Sequence, residues 1–374
     1  MSQLERPVTP MQAELAEEIA FALSQLGRYA EARDIYAELY ALNPTRRLAS
    51  GLAYVHYAAL LAHKIRKPRL ENPEEWRKGF EQWIGEALKH DPKSLKDRYR
   101  LAVYYASIQT QKDNKALRLF GDVVRDFEAL PEAERTEQSR FFKTYVLALY
   151  GAARSAFRLG RFEDARRLIF RCIRVDRDRN HQKPLFKFFL AGKILVALKQ
   201  YDDAERALRL ALEKAGKGDH DFVCALLAQI ALATERAADG AKWIEQNIRP
   251  HHRKPYIWRL LADCEAARGD RKQALKFYKN ALLKDHAGRH LTLYRMGQLY
   301  EAINEFGPAR RAYEEAADFR RKRYLSEFPE ALEGLARVCE RQGDLDAARK
   351  AYTRMSTLPA FAERAQAELQ RLAG

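Results

Sequence analysis

The side chains that could attack, ligate or titrate are few in this chain, and their spacing sets no reaction. Four cysteines, Cys172, Cys224, Cys264 and Cys339, stand far apart in runs of helical periodicity. No CxxC or zinc-type spacing joins them, so they are read as small buried thiols of a reducing compartment. His251 and His252 adjoin, and His286 and His290 are four residues apart, a spacing that would put two imidazoles on one helix face. Gly288 and a predicted helix end fall between the second pair, so these are read as solvated loop histidines and no metal is expected. The stretch KAGKGD at 214–219 sets glycines around a lysine but lacks GxxxxGK[ST] and a preceding strand, which makes it a polar interhelical loop. GxSxG, HExxH and GxGxxG do not occur in the sequence. Carboxylates and bases are abundant but scattered, with no pair placed for proton transfer. The expectation is therefore no catalytic residue, no cofactor and a binding role.

Charge says what such a protein attracts. With 67 Lys and Arg against 51 Asp and Glu the formal net charge is +16, a field that draws anions, whether nucleic acid, acidic protein segments or anionic lipid. The start, MSQLERPVTPMQAELAEE, has no basic region followed by an apolar run, and no window approaches 18 unbroken apolar residues. A soluble, unexported, cytoplasmic protein without membrane insertion is the corresponding expectation.

The elements that must present any binding site are visible as a repeat. From Lys254 to Gly288 the chain reads as two short amphipathic helices around a Gly-Asp turn, and its small and aromatic residues return 35 positions later. Ala262 becomes Gly297, Ala274 becomes Ala309, Tyr278 becomes Tyr313 and Ala281 becomes Ala316. A residue opening the second helix of each unit can be followed along the chain at Ala32, Phe80, Ala116, Ala165, Ala204, Gly240, Ala274, Ala309 and Ala348. At 374 residues the chain exceeds one conventional core, but stacked repeats escape that limit because each buries its apolar face on the next. Gly27, Gly160, Gly269 and Gly343 fall where a first helix should end in a left-handed residue.

This pattern resembles the tetratricopeptide repeat superfamily. Trp258, Leu261, Ala262, Ala274, Tyr278 and Ala281 match one copy of its motif, and Met296, Gly297, Tyr300, Ala309, Tyr313 and Ala316 the next. Ala32, Tyr36 and Pro44 match the first copy, and Gly192, Ala204 and Ala211 a middle one. The resemblance implies an all-α, right-handed superhelical α-solenoid of about nine helix pairs. It would run over 13–357 behind a flexible N-terminus at 1–12, with irregular insertions near 62–73 and 128–139 and a capping helix at 358–374.

In this family the concave wall is built from the first helix of each pair, and ligands lie along it. Projected on that frame, the residues expected in the groove are Arg98, Leu101 and Tyr105, then Tyr150, Arg154 and Arg158, then Phe186, Phe189 and Lys193, and further on Arg259, Asp263, Tyr294 and Gln298. Arginine one helical turn from an aromatic suits an acidic or extended protein segment, or single-stranded RNA with bases on the rings. The family's carboxylate clamp is not reproduced, since Asp263 stands where an Asn is wanted. A second basic feature lies in the loops, at Lys64, Arg66, Lys67 and Arg69, at Arg177 and Arg179, at Arg253 and Lys254, and at Arg320, Arg321, Lys322 and Arg323. If contiguous, these would track a polyanion such as RNA. The leading expectation is a non-enzymatic adaptor for protein partners, and the alternative is an RNA-binding protein.

Overall fold

The computed structural model describes residues 9–65, 69–109, 112–215 and 220–373, and among them every regular element is a helix. The chain divides into two compact units at Lys214 and Ala215. The first holds five consecutive helix pairs: α1 (Pro10–Gln25) with α2 (Tyr29–Leu42), α3 (Arg46–Lys64) with α4 (Pro73–His90), α5 (Leu95–Val103) with α6 (Asp113–Glu128), α7 (Phe142–Arg158) with α8 (Phe162–Val175), and α9 (Pro184–Ala197) with α10 (Tyr201–Glu213). The second holds four, α11 (Asp221–Ala233) with α12 (Ala237–Asn247), α13 (Pro255–Ala267) with α14 (Arg271–Leu282), α15 (Arg289–Ala302) with α16 (Phe306–Tyr324), and α17 (Pro329–Arg341) with α18 (Leu345–Ser356). A last helix, α19 (Ala362–Arg371), lies on α18 and adds Ala365 to the core.

The local sequence explains where these helices begin and end. Thr9, Thr45, Asn72, Ser94, Asp270 and Asp344 cap helix N-termini through side-chain oxygens. Thr9 and Gln12 form a reciprocal capping box, so α1 starts at Pro10, inside the stretch expected to be a flexible terminus. Residues 1–8 of that stretch lie outside the described residues. Gly27, Gly160, Gly269 and Gly343 all have positive φ where a first helix turns into its partner. Lys199, Glu235 and Asn304 hold the same turn at φ 59 each, where the motif offers no glycine to announce it. The segment 62–73 is an insertion only in part, because α3 continues through Lys64.

Inside each unit one register repeats. The fourth residue of the second helix is Ala32, Ala116, Ala165, Ala204, Ala274, Ala309 or Ala348, each fully buried, or Gly240. Gly240 has no room for a larger side chain, since a Cβ there would lie 2.9 Å from the Cys264 Sγ. The eighth residue is large: Tyr36, Phe80, Phe120, Ile169, Leu208, Ile244, Tyr278, Tyr313 or Tyr352. Phe80 therefore belongs to the large position, and the expectation that it replaces the opening alanine is corrected. The residue at that place in α4 is Trp76, which packs on His56 at a ring distance of 4.9 Å. The large residue fills the notch left by a glycine on a first helix. Tyr36 lies on Gly51, Phe120 on Gly151, Leu208 on Gly192, and Tyr313 on both Gly297 and Gly334. The recurrence of small and aromatic residues is thus a packing rule, in which bulk on one helix requires absence of a side chain on the next.

Candidate functional site

Within the first unit α1, α3, α5, α7 and α9 touch one another in series, so the first helices of the pairs share one wall. The wall carries an irregularity at its middle. After α5 the chain widens into a π-helical turn, Tyr104–Ile108, closed by Gln109 N donating to the Tyr104 carbonyl at 2.9 Å. Such a turn inserts an extra residue and turns carbonyls away from the helix ladder. Three cations gather on this turn. Arg158 donates to the Ala106 carbonyl at 2.7 Å, Arg154 to the Ser107 hydroxyl at 2.9 Å, and Lys64 to the Ser107 carbonyl.

Arg154 is the least balanced of them. Its guanidinium is half-buried, its Nε has no hydrogen-bond partner, and no carboxylate forms an ion pair with it among the described residues. Burial, with the like charge of Arg158 second, pushes its pKa down. Tyr99, Tyr150 and Tyr57 surround the pair electrostatically, and burial raises all three phenols, Tyr99 to about 12. Arg158 is more exposed and has one carboxylate, Asp113, at 3.4 Å. Further along the wall Lys193 lies over the rings of Phe157 at 4.9 Å and Phe189 at 5.9 Å. Lys112 and Lys115 lie over Tyr105 at 5.6 and 5.7 Å.

The structure thus places Tyr150, Arg154 and Arg158 together, with Phe189 and Lys193 paired on α9 and Tyr105 beside Lys112 and Lys115, while Arg98 is bound elsewhere. Arg98 is 11% exposed and bound to Asp126 at 2.5 Å and to the Lys93 carbonyl at 2.7 Å, so it ties α5 to α6. In the second unit Arg259 is likewise a tie. It donates to Asp285 at 3.1 Å and Thr292 at 3.0 Å and joins α13 to the start of α15. Asp263 accepts from the Tyr278 hydroxyl at 2.5 Å, and burial raises its pKa. Tyr294 accepts from Gln298 at 3.0 Å and packs on Phe328 at 5.2 Å.

The basic loop residues have varied surroundings. Arg253 is buried, donates to the Ile248 carbonyl at 3.0 Å and covers Trp258, which corrects its reading as an exposed loop charge. Lys254 pairs with Asp221 at 3.1 Å, Arg179 with Glu137 at 3.5 Å and Arg321 with Asp318 at 3.6 Å, while Arg320 covers Phe328. Arg69, Arg177, Lys322 and Arg323 are exposed. Arg66 and Lys67 lie outside the described residues, as does most of KAGKGD.

All four cysteines are buried and free. Burial pushes Cys172, Cys224 and Cys264 up to about 12 and raises Cys339 as well, which disfavours the thiolate at each. His290 is buried in the first turn of α15 against Tyr324 and Phe328, not solvated in a loop as its flanking glycine suggested. Among the described residues no group of three or more His, Cys, Asp and Glu is placed to hold a metal ion.

Two features escaped sequence reasoning. The π-helical turn has no motif, because YYASI is an ordinary helical string until α7 and α3 supply cations to its carbonyls. The buried pair of Lys187 and Asp176, 2.8 Å apart, was also hidden, since Asp176 stands just before the run RDRNHQKP and Lys187 in the apolar helix after it. Lysine in a helix is normally a surface residue, and only the fold of the loop shows otherwise.

Within each unit, helix hairpins stacked in series and interlocked by one register of small and large residues define an α-helical repeat architecture. Family models for the tetratricopeptide repeat match residues 13–46 and 292–365, the first two helices and the last repeats. The chain thus carries tetratricopeptide repeats in these two segments. Among solved structures, a tetratricopeptide repeat protein from Parabacteroides merdae is similar in fold, with a TM-score of 0.52 at 10% identity, over 74% of this chain and 99% of that one. The C-terminal part of a repeat-containing protein from Cytophaga hutchinsonii aligns at a TM-score of 0.47 and 16% identity, over 72% of this chain and 99% of its own. Yeast Tom70 aligns at 0.44 and 15%, over 96% of each chain. No curated protein sequence matches the chain. No helix among the described residues is long and apolar enough to cross a membrane.

Proposed function

We propose that this protein is a non-enzymatic scaffold whose first unit binds an acidic, extended segment of a protein partner along the wall of α3, α5, α7 and α9. The observation that carries this reading is Arg154, a half-buried guanidinium beside Arg158 with no carboxylate paired to it. A charge in that setting is stabilised by an incoming carboxylate more than a solvated one is, because little water screens the contact. Lys193 at the far end of the wall extends the basic track, and Tyr150 and Phe189 give apolar surface between. Ordinary sequence-independent RNA binding is the weaker reading. It needs open aromatic faces for bases, and Tyr105, Phe157 and Phe189 already have ammonium groups over their rings.

The test uses a fluorescein-labelled peptide alternating glutamate with leucine, titrated by anisotropy into the full chain, with oligouridylate as a second probe. Arg158→Gln, at an exposed position and still able to donate to the Ala106 carbonyl, should change the melting temperature little while weakening the peptide roughly tenfold or more, the scale of one charge-assisted contact. Arg154→Gln should weaken it at least as much. Peptide affinity unchanged in both variants, or oligouridylate bound more tightly than the peptide by the parent chain, would overturn the reading.

A further inference from the structure

A cavity of about 430 Å³ in the second unit is lined by His220, Asp221, Asn247, Arg249, His252 and Lys254, with Ile248 behind them. Nothing in the wall described above uses it. Its lining comes from four places in the chain: the start of α11, the end of α12, the short 3-10 turn Pro250–His252 and the start of α13. A helix N-terminus carries free N–H groups and a partial positive charge, and its capping residue is normally Ser, Thr, Asp or Asn. Here the capping residues are His220 and Lys254, and neither side chain caps its helix. Two helices thus begin on basic groups beside one cavity, and Arg249 and His252 add more.

Among the described lining residues one carboxylate opposes them. Asp221 is 5% exposed at the first turn of α11, and its Oδ2 is 3.1 Å from the Lys254 ammonium. That contact holds Lys254 at the cavity but leaves Arg249 with no ion pair among the described residues. The His220 Nδ1 is buried and has no hydrogen-bond partner. Among the described residues the lining therefore carries a guanidinium, an ammonium held by Asp221 and two imidazoles against one carboxylate. A monoanion would do little more than duplicate Asp221. A dianion with three acceptor oxygens can take donors from several of these groups at once.

We propose that this cavity binds a phosphate monoester carried by a small molecule. Its volume lies within the range of small-ligand sites, and its donors come from separate elements around a hollow, not from a flat face such as a membrane surface would meet. Arg249 and His252 are exposed side chains at the rim, and Lys254 and His220 lie at the two helix starts.

The experiment titrates the full chain in chloride buffer with inorganic phosphate and with glycerol 3-phosphate, followed by calorimetry and phosphorus NMR line width. Saturable binding of both is expected, with the ester at least as tight as the ion. Arg249→Ala and His252→Ala, both at exposed positions, should each weaken binding about tenfold with an unchanged melting temperature. Lys272→Ala, an exposed charge on α14, should stay within twofold of the parent and controls for net charge. Absence of saturable binding by either probe, or equal loss in Lys272→Ala, would overturn the site. A phosphoserine peptide that binds more tightly than glycerol 3-phosphate would overturn the small-molecule assignment. Because Arg154 and Arg158 lie on the first unit, loss of acidic-peptide binding there leaves this result untouched.

Discussion

Replacing Lys187 by methionine tests how the wall is held in place. The Lys187 ammonium is 2% exposed and donates to Asp176 Oδ2 at 2.8 Å, to the Asp176 carbonyl at 2.6 Å and to Asn180 Oδ1 at 3.4 Å. Asp176, fully buried at the end of α8, also accepts from His181 N at 2.8 Å and Gln182 N at 3.0 Å. The pair fastens the loop between α8 and α9, and so sets the register of the helix that bears Phe189 and Lys193. At that separation and an effective dielectric of roughly 20 the gross attraction is about 6 kcal/mol. Desolvation of both ions offsets most of it, so the intact pair adds little net stability. Removing only the lysine is different, because a buried carboxylate then keeps two N–H partners but loses its cation, at a cost of about 3 to 5 kcal/mol. Urea unfolding followed by circular dichroism should show the first transition moved down by roughly 1 to 2 M. Hydrogen exchange should show faster exchange across α8 and α9. Lys187→Met combined with Asp176→Asn should recover at least half of the loss, since an amide retains an acceptor for a backbone N–H without a buried charge. A single variant within about 1 kcal/mol of the parent, or a double variant worse than the single, would refute the reasoning.

Other expected outcomes follow from the same packing. Burial holds the His56 pKa down at about 4, with Nδ1 against the Trp76 carbonyl at 3.2 Å. An unfolded histidine takes its proton near pH 6.5, so stability should fall as pH drops from about 6.5 to about 4 and then level off, by about 3 kcal/mol at most. His56→Gln should flatten that part of the urea-midpoint profile, and a profile identical to the parent's would count against the assignment. Gly334→Val would set a Cβ 2.7 Å from the ring of Tyr313, which is fully buried and tied to Glu301 at 2.8 Å. The melting temperature should drop by an amount equivalent to about 1 to 3 kcal/mol, and no drop would mean the ring can move. The four thiols should resist Ellman's reagent in the folded chain at pH 8 and all react in guanidinium, and rapid reaction of a native thiol would contradict their burial.

By itself the sequence determined the repeat. Alanine at the fourth position of most second helices and a large residue at the eighth, with glycine facing several of them, is a local code, because helix crossing distance depends on the few side chains at the contact. The same holds for Gly27, Gly160, Gly269 and Gly343, whose turn requires a backbone conformation that glycine adopts most easily. Where large residues stand in both places, as Trp76 and Phe80 do in α4, the code is ambiguous by one helical turn and only packing resolves it. Tertiary structure decided which charges remain available for a ligand. Arg98, Arg154, Arg158 and Arg259 look alike as arginines on first helices. Asp126 neutralises the first and Asp285 the last, from residues 28 and 26 positions away, while Arg154 meets only a serine hydroxyl. Helical periodicity assigns a side chain to a face, but the partner across that face comes from another helix, and charge balance at a site is a property of both.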